Sequence, residues 1–178
     1  DGDDNFIPAN GVVGGSGTEN DPYIIENWVI DASSAHGIHI RNTRSYFIIR
    51  NCLIENMGGH TEINGIRMEN VRNGRIENVK VRRSVTTYPA IRISDSSKNV
   101  VSDSLIEEVR RGIVLSSSSG NTISGNRVMA RDSSVEGITL WSSDNNKISG
   151  NTVGNFSQNG VSLSSSNNNE VSGNIVEN

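Results

Sequence analysis

The chain holds little of what usually closes or stiffens a small fold. A single cysteine, Cys52, in 178 residues excludes an internal disulfide framework. Its place beside Leu53, read as a core position, predicts a plain packing thiol. Three prolines, with none between Pro22 and Pro89 and none after Pro89, leave long stretches free to pair in continuous ladders. Aromatic residues are 4% of the chain, which suits an interior too narrow for large rings. No run approaches the roughly 18 apolar residues that a membrane span needs, so no span is expected. The hydrophobic fraction of 33% is low for a globular core.

A fixed spacing accounts for that low fraction. A Gly at 112, 137 and 160 opens a Gly-Ile/Val-x-Leu element. An apolar residue follows eleven positions later, at Ile123, Ile148 and Val171, and another sixteen positions later, at Val128, Val153 and Val176. Gly65 leads in the same way to Ile76 and Val81, and Ala90 to Val101 and Ile106. Gly37 leads to Ile49 and Ile54 with one extra residue in the first connection. Repeats of this length with strand-like alternation signal a solenoid. In each first strand two apolar residues point inward: Ile38/Ile40, Ile66/Met68, Ile91/Ile93, Ile113/Leu115, Ile138/Leu140 and Val161/Leu163. The five-residue pair at +11 and +16 reads as one second element. Asn99, Asn121, Asn146 and Asn169 precede that element by two residues, and Asn126, Asn151 and Asn174 follow its first apolar residue by three. Such columns predict side-chain amide ladders. The expected fold is all-β: one single-stranded right-handed parallel β-helix of about seven rungs over residues 23–178, with residues 1–22 as an N-terminal cap. Length varies almost wholly after the second element, at residues 55–64 and 81–89, so one edge carries the longer loops.

The rungs Gly112–Val128, Gly137–Val153 and Gly160–Val176 resemble the repeat of NosD-type and related carbohydrate-associated β-helix proteins. The opening Gly15–Trp28, followed by Tyr46–Asn51, is similar to the first rungs of archaeal secreted and cell-surface members. The resemblance implies export to the cell surface or beyond. It implies no one activity, because the repeat serves lyases, hydrolases, adhesins and accessory proteins of copper enzymes.

Charge is uneven. Residues 1–35 carry seven acids and no Lys or Arg, whereas residues 36–111 carry thirteen basic against eight acidic groups. No aromatic platform accompanies the arginines, so nucleic acid is not an expected partner. The outward column of the first strand reads His39, Arg67, Arg92, Val114, Thr139 and Ser162. Arg67 and Arg92 stand one rung apart, a spacing that suits a carboxylate of an acidic sugar, with Glu69 and Asp95 as the competing structural partners. Trp141, flanked by Ser116 and Ser164, is a stacking platform for a sugar ring. The expected ligand-binding residues are therefore His39, Arg67, Arg92 and Trp141. Asp95 with Glu69 is the one conceivable acid pair, and no catalytic residue is assigned. His36, His39 and His60, with Met57 nearby, are weak copper candidates whose convergence the spacing does not imply. Asp1–Asn5 loosely matches a calcium loop but lacks the distal Glu. No cofactor is expected. The leading expectation is a non-catalytic surface module that binds polysaccharide. The alternatives are a lyase or glycosidase on acidic glycans and an end-to-end filament joined through an open C-terminal rung.

Overall fold

The computed structural model describes residues 1–58, 62–131 and 134–177. Three parallel sheets form the faces of a right-handed β-helix. The first turn contributes Tyr23–Glu26 to sheet A, Val29–Asp31 to sheet B and Ile38–Thr43 to sheet C. Sheets A and B each hold seven strands and sheet C holds six, so there are six complete turns and two strands of a seventh, against the seven rungs expected. Every neighbouring pair of strands is parallel, and the register shifts only between Ile106 and Val109 in sheet B; Ile38, Ile66, Ile91, Ile113, Ile138 and Val161 stack in one column of sheet C.

The second element is two strands, not one. Ile123 lies in Thr122–Ser124 of sheet A and Val128 in Arg127–Ala130 of sheet B, separated by Gly125 and Asn126. The same two-residue corner recurs at every level. Its first residue is left-handed throughout: Asn27, Asn51, Asn78, Asp103, Gly125, Gly150 and Gly173. Gly and Asn tolerate that conformation best, which is why the corners use them. The recurring Asn, Asp or Gly at this offset is the signal that divides the element.

Inside the tube the inward columns are dry. Ile49, Ile54, Ile66, Ile76, Ile91, Ile106, Ile113 and Leu115 are wholly buried. Each contributes about 1.5–3 kcal/mol relative to an exposed side chain. The amide ladders form as expected. Asn99 Nδ2 donates to Asn121 Oδ1, Asn121 to Asn146 and Asn146 to Asn169, at 3.1–3.2 Å. A second ladder runs from Asn126 through Asn151 to Asn174. A third, of serine, was not visible in the repeat: the backbone N–H of Ser96, Ser118 and Ser143 donates to the hydroxyl of Ser118, Ser143 and Ser166 in turn. These ladders fix the corners on both sides of sheet A.

Cys52 is buried at one of those corners, beside the half-buried Leu53; Ile54, not Leu53, is the core residue there. Burial pushes its thiol pKa up. Residues 1–22 lie against the first turn. The N–H of Val13 and the O of Gly14 pair with Ile24, Phe6 stacks on Tyr23 at 4.7 Å, and Trp28 Nε1 donates to Gly11 O.

Connections from sheet B to sheet C are the variable ones. They span residues 56–65 and 83–90 in the second and third turns but only 155–158 in the sixth. The longest loops therefore border the outer face of sheet C.

Candidate functional site

Strand alternation sends His39, Arg67 and Arg92 out of sheet C on three successive turns, as expected, and the register pairs His39 with Arg67 and Arg67 with Arg92. Two guanidiniums stacked at the strand spacing of about 4.8 Å repel unless anions are nearby. Two carboxylates meet that need. Glu69, two residues along the strand, accepts from Arg67 Nη2 at 2.6 Å and from His39 Nε2 at 2.7 Å. Glu62 comes from the long loop. Its Oε1 is shared by Arg67 Nη1 at 3.2 Å and by Arg92 Nη1 in a still shorter contact.

Asp95, expected as the other partner, is not there. It has a left-handed backbone in the corner after its strand and lines a separate cavity with Asn42, Asn70 and Arg72. The conceivable Asp95–Glu69 acid pair therefore does not face the arginines. Glu62 was missed because the loop that carries it has no repeat register to place it.

Further along the same face, Val114 and Thr139 occupy outward positions yet are buried. A pair that the spacing did not reveal flanks them. The Arg111 guanidinium, at the start of its strand, sits 5.4 Å from the ring centre of Trp141, at the end of the next. The register puts Val114 and Thr139 beneath the line joining them. Trp141 is flanked by Ser116 and Ser164 as expected, but one face of its ring already carries a cation. Arg111 also approaches Glu136, 3.5 Å away. Among the described residues, Thr139 Oγ1 and the Nε atoms of Arg67, Arg92 and Arg111 are buried with no hydrogen-bond partner. Polar atoms left so are costly unless something completes them.

The electrostatics are lopsided. The hydrogen bond from Arg67 holds the Glu69 carboxyl at about 2; burial opposes this and the bond with His39 assists it. Glu69 is therefore ionised throughout the neutral range. His36 is also shifted down, which in its case favours the neutral form: burial lowers its pKa, and repulsion from His39 and Arg67 adds to the effect. Its Nδ1 accepts the backbone N–H of Asn64, which requires a neutral ring at that nitrogen.

The acidic start does not gather into a calcium loop. Asp1 pairs with Arg41 at 3.0 Å, and Asp3 accepts hydrogen bonds from Thr43 and Ser45. These donors take up carboxylates that a cation would need.

A profile described as periplasmic copper-binding protein (NosD) matches residues 15–178. The chain belongs to the NosD family. No curated protein matches it. The family description raises copper, so the soft and imidazole ligands of this NosD chain decide whether it fits. His36 and His39 stand edge to face with ring centres 5.0 Å apart, but Asn64 and Glu69 already engage one nitrogen of each. Met57 is wholly buried and Cys52 lies on the other side of the tube, at a corner between sheets A and B. His60, the third candidate, lies outside the described residues. Among the described residues no group of three or more His, Cys, Asp or Glu is placed to hold a metal ion. Two engaged imidazoles do not make a copper centre. No helix among the described residues is long and apolar enough to cross a membrane.

Proposed function

We propose that this NosD-family chain is an exported β-helix module that binds polysaccharide along the outer face of sheet C without cleaving it. The observation that carries the reading is the lane itself. Arg67, Arg92 and Arg111 follow one another across the sheet, each matched by a carboxylate, and the lane ends on the Trp141 ring. A glycan chain presents a row of hydroxyls that both donate and accept. A lane of alternating guanidinium and carboxylate groups answers that pattern, and an aromatic ring at one end supports a sugar face. The family's periplasmic description supports export.

The charge state supports binding over catalysis. Glycoside cleavage by a carboxyl pair needs one member protonated at working pH. Glu69 is held ionised by Arg67, and Glu62 is shared between two guanidiniums. Glu69 is therefore not poised to give up a proton.

A glycan array at low salt, followed by product analysis on the same polysaccharides, tests the reading. The expected result is binding without shortened products, weakened about tenfold by Trp141→Ala. Released oligosaccharides would turn the reading into a lyase or glycosidase. Silence across both assays would reject polysaccharide as the ligand.

A further inference from the structure

The geometry points to Glu62 as a built-in occupant of a carboxylate site whose external ligand is an acidic sugar. The inference rests on the polysaccharide reading above and names the chemical class that the Arg67–Arg92 part of the lane accepts.

Arg67 and Arg92 come from different strands, yet one amino group of each converges on the same oxygen, Glu62 Oε1. Convergence of two cations on one oxygen is how a protein holds a carboxylate, and neighbouring arginines in a parallel ladder need such an anion to stay close. Glu69 does not fill the role, because its contacts are with Arg67 and His39 on the other side. The anion between the arginines comes from outside the sheet, on the connection between sheets B and C. The Glu62 side chain is also a third exposed, at 32%, so rotation about its own bonds carries the carboxylate into water. Arg67 is held more firmly: its side chain is 17% exposed, with Nη2 anchored on Glu69. A uronate carboxylate arriving from solvent would replace Glu62 between this anchored guanidinium and Arg92, whose side chain is 29% exposed. The two Nε atoms, buried and without acceptors among the described residues, leave each guanidinium with hydrogen-bonding capacity that Glu62 does not use.

It follows that native protein binds acidic glycans in competition with its own side chain, whereas neutral glycans face no such competitor. Hexagalacturonate and xylohexaose, titrated into the full chain by calorimetry at low salt, separate the cases. Glu62→Gln keeps the shape and removes the charge. It is expected to tighten hexagalacturonate at least about tenfold, with the gain shrinking as salt rises. Adding Arg92→Ala to that variant is expected to abolish the gain. Should Glu62→Gln fail to fold by circular dichroism, Glu62→Asp, one methylene shorter, withdraws the carboxylate from the shared position and should tighten binding in the same direction. Unchanged or weaker hexagalacturonate binding in a folded variant overturns the inference; if xylohexaose still binds, the polysaccharide reading stands without it. If neither sugar binds native protein or variant, both fall.

Discussion

Asn146→Ala tests the ladders as the device that holds successive turns in register. Asn146 is 2% exposed. Its Oδ1 accepts the backbone N–H of Asn121 at 2.8 Å and Asn121 Nδ2 at 3.1 Å. Its Nδ2 donates to Ser118 O at 3.0 Å, to Asp144 O at 3.1 Å and to Asn169 Oδ1 at 3.2 Å. Alanine removes all five bonds and takes these partners from a buried N–H and a buried carbonyl. Each stranded group costs about 1–3 kcal/mol, and a water entering the vacated space recovers part of it. A net loss of about 3–4 kcal/mol is expected, which for a chain of this size lowers Tm by roughly 10 °C. Asn169→Ala provides the contrast. Asn169 makes the same kinds of bonds but is half-buried, so water replaces them and the expected loss is about 1 kcal/mol. Urea denaturation followed by circular dichroism measures both, and hydrogen exchange at the Asn121 amide reports the local effect. A loss below about 1 kcal/mol for Asn146→Ala, or equal losses for the two variants, would refute the reasoning.

Gly137→Ala should destabilise by about 2 kcal/mol in a thermal melt, because its Cβ would lie 2.2 Å from Val153 Cγ1 and 2.4 Å from the Gly160 carbonyl, and the carbonyl belongs to the next turn's backbone. The depressed Glu69 carboxyl gives a pH test: its contribution is complete above the ordinary 4.5 and is lost as pH falls toward about 2. The stability difference between native protein and Glu69→Gln, read from urea titrations, should therefore shrink steadily across that window; a constant difference would show that the ion pair does not stabilise the fold.

The parts legible in the sequence were those bound to the repeat. Gly112, Gly137 and Gly160 set the register, so the inward column of sheet C and the Asn ladders could be read by counting. The corner at Gly125 and Asn126 left a signal in its recurrent Gly, Asn or Asp, but it went unread because the even five-residue spacing across it looked like one strand. What escaped counting was any contact between a loop and a face. Glu62 meets Arg92 thirty positions on, from a connection whose length follows no rule. Val114 and Thr139 alternate outward correctly yet are buried; the Arg111–Trp141 pair that flanks them is not encoded by alternation.

The same division explains why the lane lies on sheet C. Each corner from sheet A to sheet B is two residues long at all seven levels, with a left-handed first residue. From the fourth turn on, the second residue belongs to the Ser/Asn column: Asn126 Oδ1 takes the Ser104 N–H, and Asn151 and Asn174 continue the stack. An insertion there would take a side chain out of its stack and strand the amide beneath it. The corners from sheet C to sheet A are held by the other Asn ladder and by serine. Among the described residues, connections from sheet B to sheet C carry no such continuous Asn column, and lengthening them adds only a slowly growing closure entropy. Residues 56–65 and 83–90 can therefore extend without disturbing the tube. The outer face of sheet C borders these extended loops, and there a side chain such as Glu62 is brought over strands already fixed by the core. The ladders thus do more than stabilise the solenoid: by opposing variation at two of its three corners wherever their columns run, they favour the third for chemistry that the repeat cannot supply.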